Sequence, residues 1–82
     1  MVSNEVRVSR DIYDQTAMAV SQSANRFKSD IYITTGFGRI DAKNVMSIIY
    51  FGIKKGDAVS ISASGPDENN AICEISSILQ NY

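Results

Sequence analysis

Residues 40–70 read IDAKNVMSIIYFGIKKGDAVSISASGPDENN, and this stretch decides the fold. Asn44 before VMSIIY and Gly52 soon after it predict a short helix, because asparagine caps helix starts and glycine ends helices. The turn at 54–57 is followed by VSISAS at 59–64, whose strict alternation of apolar and polar residues predicts a half-buried strand. The Gly-Pro pair that follows ends this strand.

The same periodicities continue outward along the chain. Alternating valines at 2–8 predict a first strand, and apolar residues at helical spacing predict a helix from about Thr16 to Phe27, with Asp14 placed to cap it. Further strands are expected at 31–34 and 39–41. A last helix should begin with Asp67 as its cap and bury Ala71, Ile72, Ile75, Ile78 and Leu79.

The predicted order of elements is βαββαβα. Antiparallel strands with one apolar face indicate an α+β fold, in which helices cover one side of a sheet and leave the other side open. The chain has 82 residues, which is enough for one core, so we expect a single domain over 1–82.

Composition excludes several classes of function. The net charge of −1 disfavours binding to nucleic acid or to anionic membranes. With no histidine and one cysteine, Cys73, we expect no metal site, no cofactor and no disulfide, and Cys73 should be inert packing beside the buried stripe. The first residues lack the pattern of a signal peptide, so a cytoplasmic protein is expected. Catalytic triads and phosphate-binding glycine loops are also missing, so we do not expect an enzyme.

The stretch at 40–70, together with QSANRF at 22–27, resembles HPr, the phosphocarrier family of the bacterial sugar phosphotransferase system. The resemblance covers nearly the whole chain and is strongest at 41–70. It implies an HPr-like open-faced β-sandwich, in which three helices cover one face of a four-stranded antiparallel sheet. The chain would be a divergent, Crh-like member of the family.

The resemblance also implies where the family's chemistry should lie, and there this chain differs. HPr carries a phosphohistidine just before its first helix, in a segment of the form His-Ala-Arg-Pro-Ala. Tyr13 takes the place of that histidine, with Asp14, Gln15 and Thr16 after it. Gln15 cannot make the forked, charged contact that arginine makes with phosphate. Asp14 places a negative charge where the phosphate would sit, so we expect the protein's own carboxylate to fill the anion site.

A second phosphorylation site of the family, a regulatory serine that caps the short helix, corresponds to Asn44. Asparagine caps a helix as well as serine does but has no hydroxyl group to phosphorylate. Ser47 lies one turn further on and is not expected to take over this role. The regulation that depends on this serine in Crh is therefore not carried over to this chain.

HPr proteins bind their partners through the start of the first helix and through the short helix. The residues that match this surface are Tyr13, Gln15, Met18, Gln22, Val45, Met46, Ile49 and Tyr50. Periodicity alone favours a core role for Met46 and Ile49, whereas the resemblance favours partner contact for Met46.

Two functional hypotheses remain open. The favoured one is a non-catalytic interaction or regulatory module that binds phosphotransferase-system enzymes or a transcription regulator, as a monomer or a strand-exchanged dimer. The alternative is a phosphoacceptor that uses Tyr13, or a serine such as Ser47, instead of histidine.

Overall fold

The computed structural model describes residues 1–81, which form four strands and three helices in the predicted order βαββαβα. The elements are β1 (Val2–Arg7), α1 (Asp14–Asn25), β2 (Asp30–Thr35), β3 (Gly38–Asp41), α2 (Val45–Phe51), β4 (Ala58–Ser64) and α3 (Glu68–Asn81). This arrangement confirms the α+β fold class and the open-faced sandwich.

The strands form one antiparallel sheet in the order β1-β4-β2-β3. Strand β4 is central, because it pairs with β1 on one side and with β2 on the other. Val59, Ile61 and Ala63 of β4 are all buried, as their alternation with serines predicts. The serines between them, Ser60 and Ser62, lie on the opposite face, where they are partly exposed.

The helices bury their predicted apolar stripes against the inner face of the sheet. Ala17, Val20 and Ala24 of α1 are fully buried, as are Ala71 and Ile75 of α3. Helix α2 contributes one fully buried side chain, Ile48, and packs beside α1. The last turn of α1 tightens, since the backbone amides of Arg26 and Phe27 donate three residues back, to Ser23 and Ala24. Phe27 therefore lies beyond the helix rather than inside it, half-buried against the core.

The loop after α1 is fastened to the loop before α3, and we call this contact the latch. The Asp67 carboxylate accepts hydrogen bonds from the backbone amides of Lys28 (2.9 Å) and Ser29 (3.0 Å) and from the Ser29 hydroxyl. These bonds favour the ionised form, the Ser29 hydroxyl contributing most, and they hold the pKa of Asp67 below its ordinary value. Asp67 does lie at the predicted cap position of α3, because its carbonyl accepts from Ala71 N–H. Its side chain, however, bonds to the loop after α1.

Gly65 makes the latch sterically possible. A Cβ atom at this position would lie 2.6 Å from the Cα of Ser29, and Gly65 has φ of +153°. Both facts exclude a side chain, because the two loops approach with their backbones in contact. In addition, Glu68 accepts a hydrogen bond from the Gly65 amide at 3.1 Å, which fixes the first turn of α3.

Cys73 is exposed on α3, so the expectation that it packs beside the core is wrong. Among residues 1–81, no helix is long and apolar enough to cross a membrane.

Candidate functional site

Helix α1 begins earlier than predicted, at Asp14, and Tyr13 is its N-cap residue. The Tyr13 carbonyl accepts from Ala17 N–H at 2.7 Å, while the neighbouring Ile12 amide donates to the Ile53 carbonyl at 2.9 Å. This contact with a distant segment sets where the helix starts. No side chain caps it. The expectation that Asp14 caps the helix is therefore wrong, because Asp14 is the first residue inside the helix and adds negative charge to its first turn. That its carboxylate fills the anion site stays a prediction.

A shallow open pocket of about 450 Å³ lies at this helix start. It is lined by Arg10, Asp11, Tyr13, Asp14, Gln15 and Thr16. The Tyr13 hydroxyl donates weakly to Asp11 Oδ2 at 3.4 Å, and Asp11 Oδ1 accepts from the backbone amide of Lys55 at 2.8 Å. Tyr13 itself is 66% exposed. Two carboxylates and one guanidinium thus surround a phenol that remains accessible to a partner.

Arg10 and Asp11 are pocket residues that the sequence reasoning missed. They are given no role in the sequence analysis. The available signal was their position, because charged residues in the few positions before a helix start often line its open end. Arg10 is the only cationic residue that lines the pocket, among the residues that the structure describes.

The start of α2 is built in the conventional way. Asn44 has extended backbone angles, and its side-chain oxygen accepts from the Ser47 amide at 3.2 Å. Gly52 ends the helix in the left-handed conformation. The predicted asparagine cap and glycine stop of α2 are both confirmed. Ser47 is half-buried inside the first turn.

Helices α1 and α2 pack side by side and run antiparallel, so each helix starts near the end of the other. Near the end of α1, Ser21 Oγ and Asn25 Nδ2 both donate to the carbonyl of Lys43, just before α2. Near the start of α1, the Ile12 amide bonds to the Ile53 carbonyl, just after α2. The two helices therefore share an outer surface, to which their solvent-facing residues contribute.

That shared surface holds most of the large apolar side chains that the described residues expose. Tyr13 is 66% exposed, Met18 49%, Met46 69% and Tyr50 87%. We call these four residues the apolar face. Of the other residues predicted for partner binding, Gln15 and Gln22 are exposed, whereas Val45 and Ile49 are partly buried against the core. Whether any of the eight contacts a partner stays a prediction.

The exposure values also decide between the two interpretations of α2. Ile48, not Met46, is the residue that fills the core, so the interpretation of Met46 as core is wrong. Ile49 is intermediate and packs against the core from its edge. A methionine with more than two thirds of its surface in water is not explained by folding, and such flexible apolar side chains suit adaptable binding surfaces.

Over residues 1–81, no cluster of three or more His, Cys, Asp or Glu side chains could hold a metal ion. Asp11 and Asp14 both line the pocket, but Asp11 is already bonded to the Lys55 amide.

This geometry defines a small antiparallel α+β fold with a candidate site at the start of α1, beside α2. The family model for the PTS HPr component phosphorylation site matches residues 3–81, and the chain belongs to this family. It is similar to the HPr-like protein Crh of Bacillus subtilis (strain 168), with 29% identity over 76 residues, covering 93% of this chain and 89% of Crh.

Two solved structures are similar as well. The phosphocarrier protein HPr from Bacillus anthracis str. Ames superposes with a TM-score of 0.92 and 30% identity, covering 96% of each chain. An HPr dimer from Thermoanaerobacter tengcongensis gives a TM-score of 0.72 and 31% identity, covering 78% of this chain and 74% of that one. HPr proteins are phosphocarriers, yet this chain contains no histidine.

Proposed function

We propose that this protein is a non-catalytic HPr-like module that binds protein partners of the phosphotransferase system, or a regulator associated with it, without carrying phosphohistidine. One observation carries the proposal. In a chain with no histidine, Tyr13, Met18, Met46 and Tyr50 remain 49–87% exposed on the outer surface of α1 and α2. Exposed apolar and aromatic side chains grouped on one surface favour protein contact.

The surroundings of Tyr13 argue against a transferable phosphate. We place Tyr13 at the position that the phosphohistidine occupies in HPr. Asp11 and Asp14 line the same pocket, and their charges would repel a phosphate there. Gln15 offers no positive charge in compensation. The site therefore favours partner contact through Tyr13 over phosphate storage.

This proposal can be tested by calorimetric titration. The protein is titrated with enzyme I, with sugar-specific IIA domains and with a transcription regulator associated with the phosphotransferase system. Met18→Asp and Met46→Asp should each weaken binding by about tenfold or more, since a charge would be buried at the contact. Ser77→Asp is the matched control, because it adds the same charge at an exposed position of α3. Flat titrations with every partner, or equal losses in all three variants, would contradict the proposal.

The alternative function is a phosphoacceptor that uses Tyr13 or Ser47. The exposure of Tyr13 and the presence of Arg10 in its pocket favour it. Incubation with enzyme I and phosphoenolpyruvate, followed by intact-mass measurement, separates the two functions. Stable addition of one phosphoryl group, lost in Tyr13→Phe or in Ser47→Ala, would establish the alternative and eliminate the favoured proposal.

Oligomeric state and location remain predictions. An HPr dimer exists among the similar structures, and we keep both a monomer and a strand-exchanged dimer as forms of this protein. A cytoplasmic location is proposed in keeping with partners of the phosphotransferase system.

A further inference from the structure

The outer face of the sheet, on the side opposite the helices, is a surface that the proposed function does not use. Its residues alternate along each strand with the buried residues of the core. The strand register arranges them in two rows that cross the whole sheet. The first row consists of Glu5, Ser60, Thr34 and Arg39. The second row consists of Ser3, Ser62, Tyr32 and Asp41. We call these two rows the sheet face.

Opposite charges lie at the two ends of the first row. Glu5 is on the edge strand β1 and Arg39 is on the edge strand β3, and both side chains are exposed. Three strand spacings separate them, about 14 Å, so they cannot pair within one molecule. The ion pairs in the described part of the chain join the amino terminus to Glu68 and Arg26 to Glu74. Glu5 and Arg39 are therefore available for ion pairs between molecules.

Charged neighbours on the same two edge strands have other bonds. Arg7 of β1 lies two residues beyond Glu5 on the same side of the sheet, and it donates to the Gly56 carbonyl at 2.7 Å. Asp41 of β3 accepts from the backbone amide of Lys43 at 2.9 Å. These bonds direct both neighbours away from the ends of the first row.

The sheet face also has a ridge of large side chains beside a groove of small ones. The Arg39 guanidinium lies over the Tyr32 ring, 4.3 Å from its centroid, and this cation–π contact holds the cation on the face. The neighbouring strand β4 contributes only Ser60 and Ser62. A shallow depression of about 400 Å³ lies over this part of the sheet. The large residues of β2 and β3 form the ridge, and the serines of β4 form the floor of the groove.

We propose that the sheet face binds a second copy of this chain, face to face, about a twofold axis that runs parallel to the strands between β4 and β2. This axis places β1 over β3 of the partner subunit and β4 over its β2. Glu5 then faces the partner's Arg39, and the symmetry repeats this ion pair. Packed sheets lie about 10 Å apart, a gap that a glutamate and an arginine span together. The ridge at Tyr32 lies over the groove at the partner's Ser62. Charge and shape are thus both self-complementary, as a twofold interface requires.

This interface differs from strand exchange and from the proposed partner contact. Each β1 stays paired with β4 of its own chain. The apolar face on α1 and α2 lies on the other side of the sheet, so it stays accessible in the dimer. The inference therefore goes beyond the proposed function, and either of the two can fail alone. Because a sheet of this size offers a small contact area, the dimer should form reversibly and only at high protein concentration.

The test is sedimentation velocity of the full chain at increasing protein concentration, up to about 1 mM. Wild type should shift from monomer to dimer over this range. Glu5→Arg and Arg39→Glu should each weaken the dimer by about tenfold or more, because two attractions become two repulsions. An equimolar mixture of these two variants should dimerise again, since both contacts of the mixed dimer then join an arginine to a glutamate.

Arg26→Glu and Glu74→Arg are the matched controls, because they make the same changes of charge at an exposed ion pair between the end of α1 and α3. Each control should dimerise as wild type does, and equal losses in the controls would overturn the inference, since association would then depend on net charge alone. A wild type that stays monomeric throughout, or a mixture that stays monomeric, would also overturn it. So would a dimer that persists in both sheet-face variants, as a strand-exchanged dimer would.

Discussion

The two ends of helix α1 differ in the polar contacts that they make. At its carboxyl end, the latch joins the loop after α1 to the loop before α3 through three hydrogen bonds to the Asp67 carboxylate, over a glycine that allows backbone contact. At its amino end, the helix has no side-chain cap, an exposed tyrosine at the cap position and an open pocket. One end is closed by polar contacts that stabilise the fold, and the other is left open.

The two ends of α1 therefore differ in how much their polar contacts contribute to stability. A serine, aspartate or asparagine at the cap position of α1 would satisfy a free backbone amide, as Asn44 does in α2. Tyr13 does not, so folding alone gives no reason for its presence. We infer that the open end is retained for binding, and the following predictions test that contrast.

Substitution in the latch should have the largest effect. Gly65→Ala places a Cβ 2.6 Å from the Ser29 backbone at φ of +153°, so the free energy of unfolding should fall by about 3 kcal/mol or more. Urea denaturation measures this change. Gly36→Ala is the matched control, since its Cβ meets nothing within 4 Å, and it should change stability by less than about 0.5 kcal/mol. Equal effects of the two substitutions would show that the latch has no special role.

The latch should also depend on pH. The pKa of Asp67 is lowered from its ordinary value of 3.8, so the folded state binds its proton more weakly than the unfolded state does. Its contribution is therefore complete above pH 3.8 and is lost as the pH falls through the lower folded value. Asp67→Asn should destabilise the protein at neutral pH, because the amide nitrogen would face backbone donors.

To check this prediction, the free energy of unfolding is measured as a function of pH for Asp67→Asn and for wild type. The difference between them should narrow on acidification. Asp30→Asn, at an exposed strand position, should show no such convergence. A constant difference for Asp67→Asn across the acid range would contradict the ionised latch.

The cap of α2 should have an intermediate effect. Asn44→Ala removes the hydrogen bond to the Ser47 amide, and thermal unfolding should reveal a loss of about 1 kcal/mol. Asn44→Ser should retain most of the stability, because serine caps equally well. A large loss in the serine variant would mean that Asn44 acts through a contact other than capping.

The smallest effect on stability has the opposite sign. Tyr13→Ser introduces a cap at the open end of α1 and should stabilise the protein by about 0.5 kcal/mol, measured by thermal unfolding. The same substitution should weaken partner binding. If it instead destabilised the protein, the weak bond from Tyr13 to Asp11 would have a structural role that its exposed position does not suggest.

Periodicity predicted the architecture because the core is regular. The alternation in β4 and the apolar stripes of α1 and α3 each extend over enough residues to define a buried face. Helix α2 has seven residues, which is too short for spacing to separate Ile48 from Met46. Which residue of α2 is buried is determined by how this helix packs against α1 and β3.

The features that sequence reasoning missed depend on contacts between distant residues. The start of α1 is set by the backbone bond from Ile12 to Ile53, and Asp11 is held by the amide of Lys55, 44 positions away. Asp67 was correctly placed at the start of α3, but its reach to Ser29 spans 38 positions. Local preferences such as capping cannot anticipate such pairings, which explains why the pocket was predicted less well than the fold.

The most direct test of the central claim is a titration of the ¹⁵N-labelled protein with enzyme I and phosphoenolpyruvate, with intact mass recorded on the same sample. We predict amide shifts that cluster at Tyr13, Met18, Met46 and Tyr50, with no increase in mass. A mass increase of one phosphoryl group, or the absence of shifts with enzyme I, IIA domains and the regulator alike, would contradict the claim that this domain binds its partners without carrying phosphate.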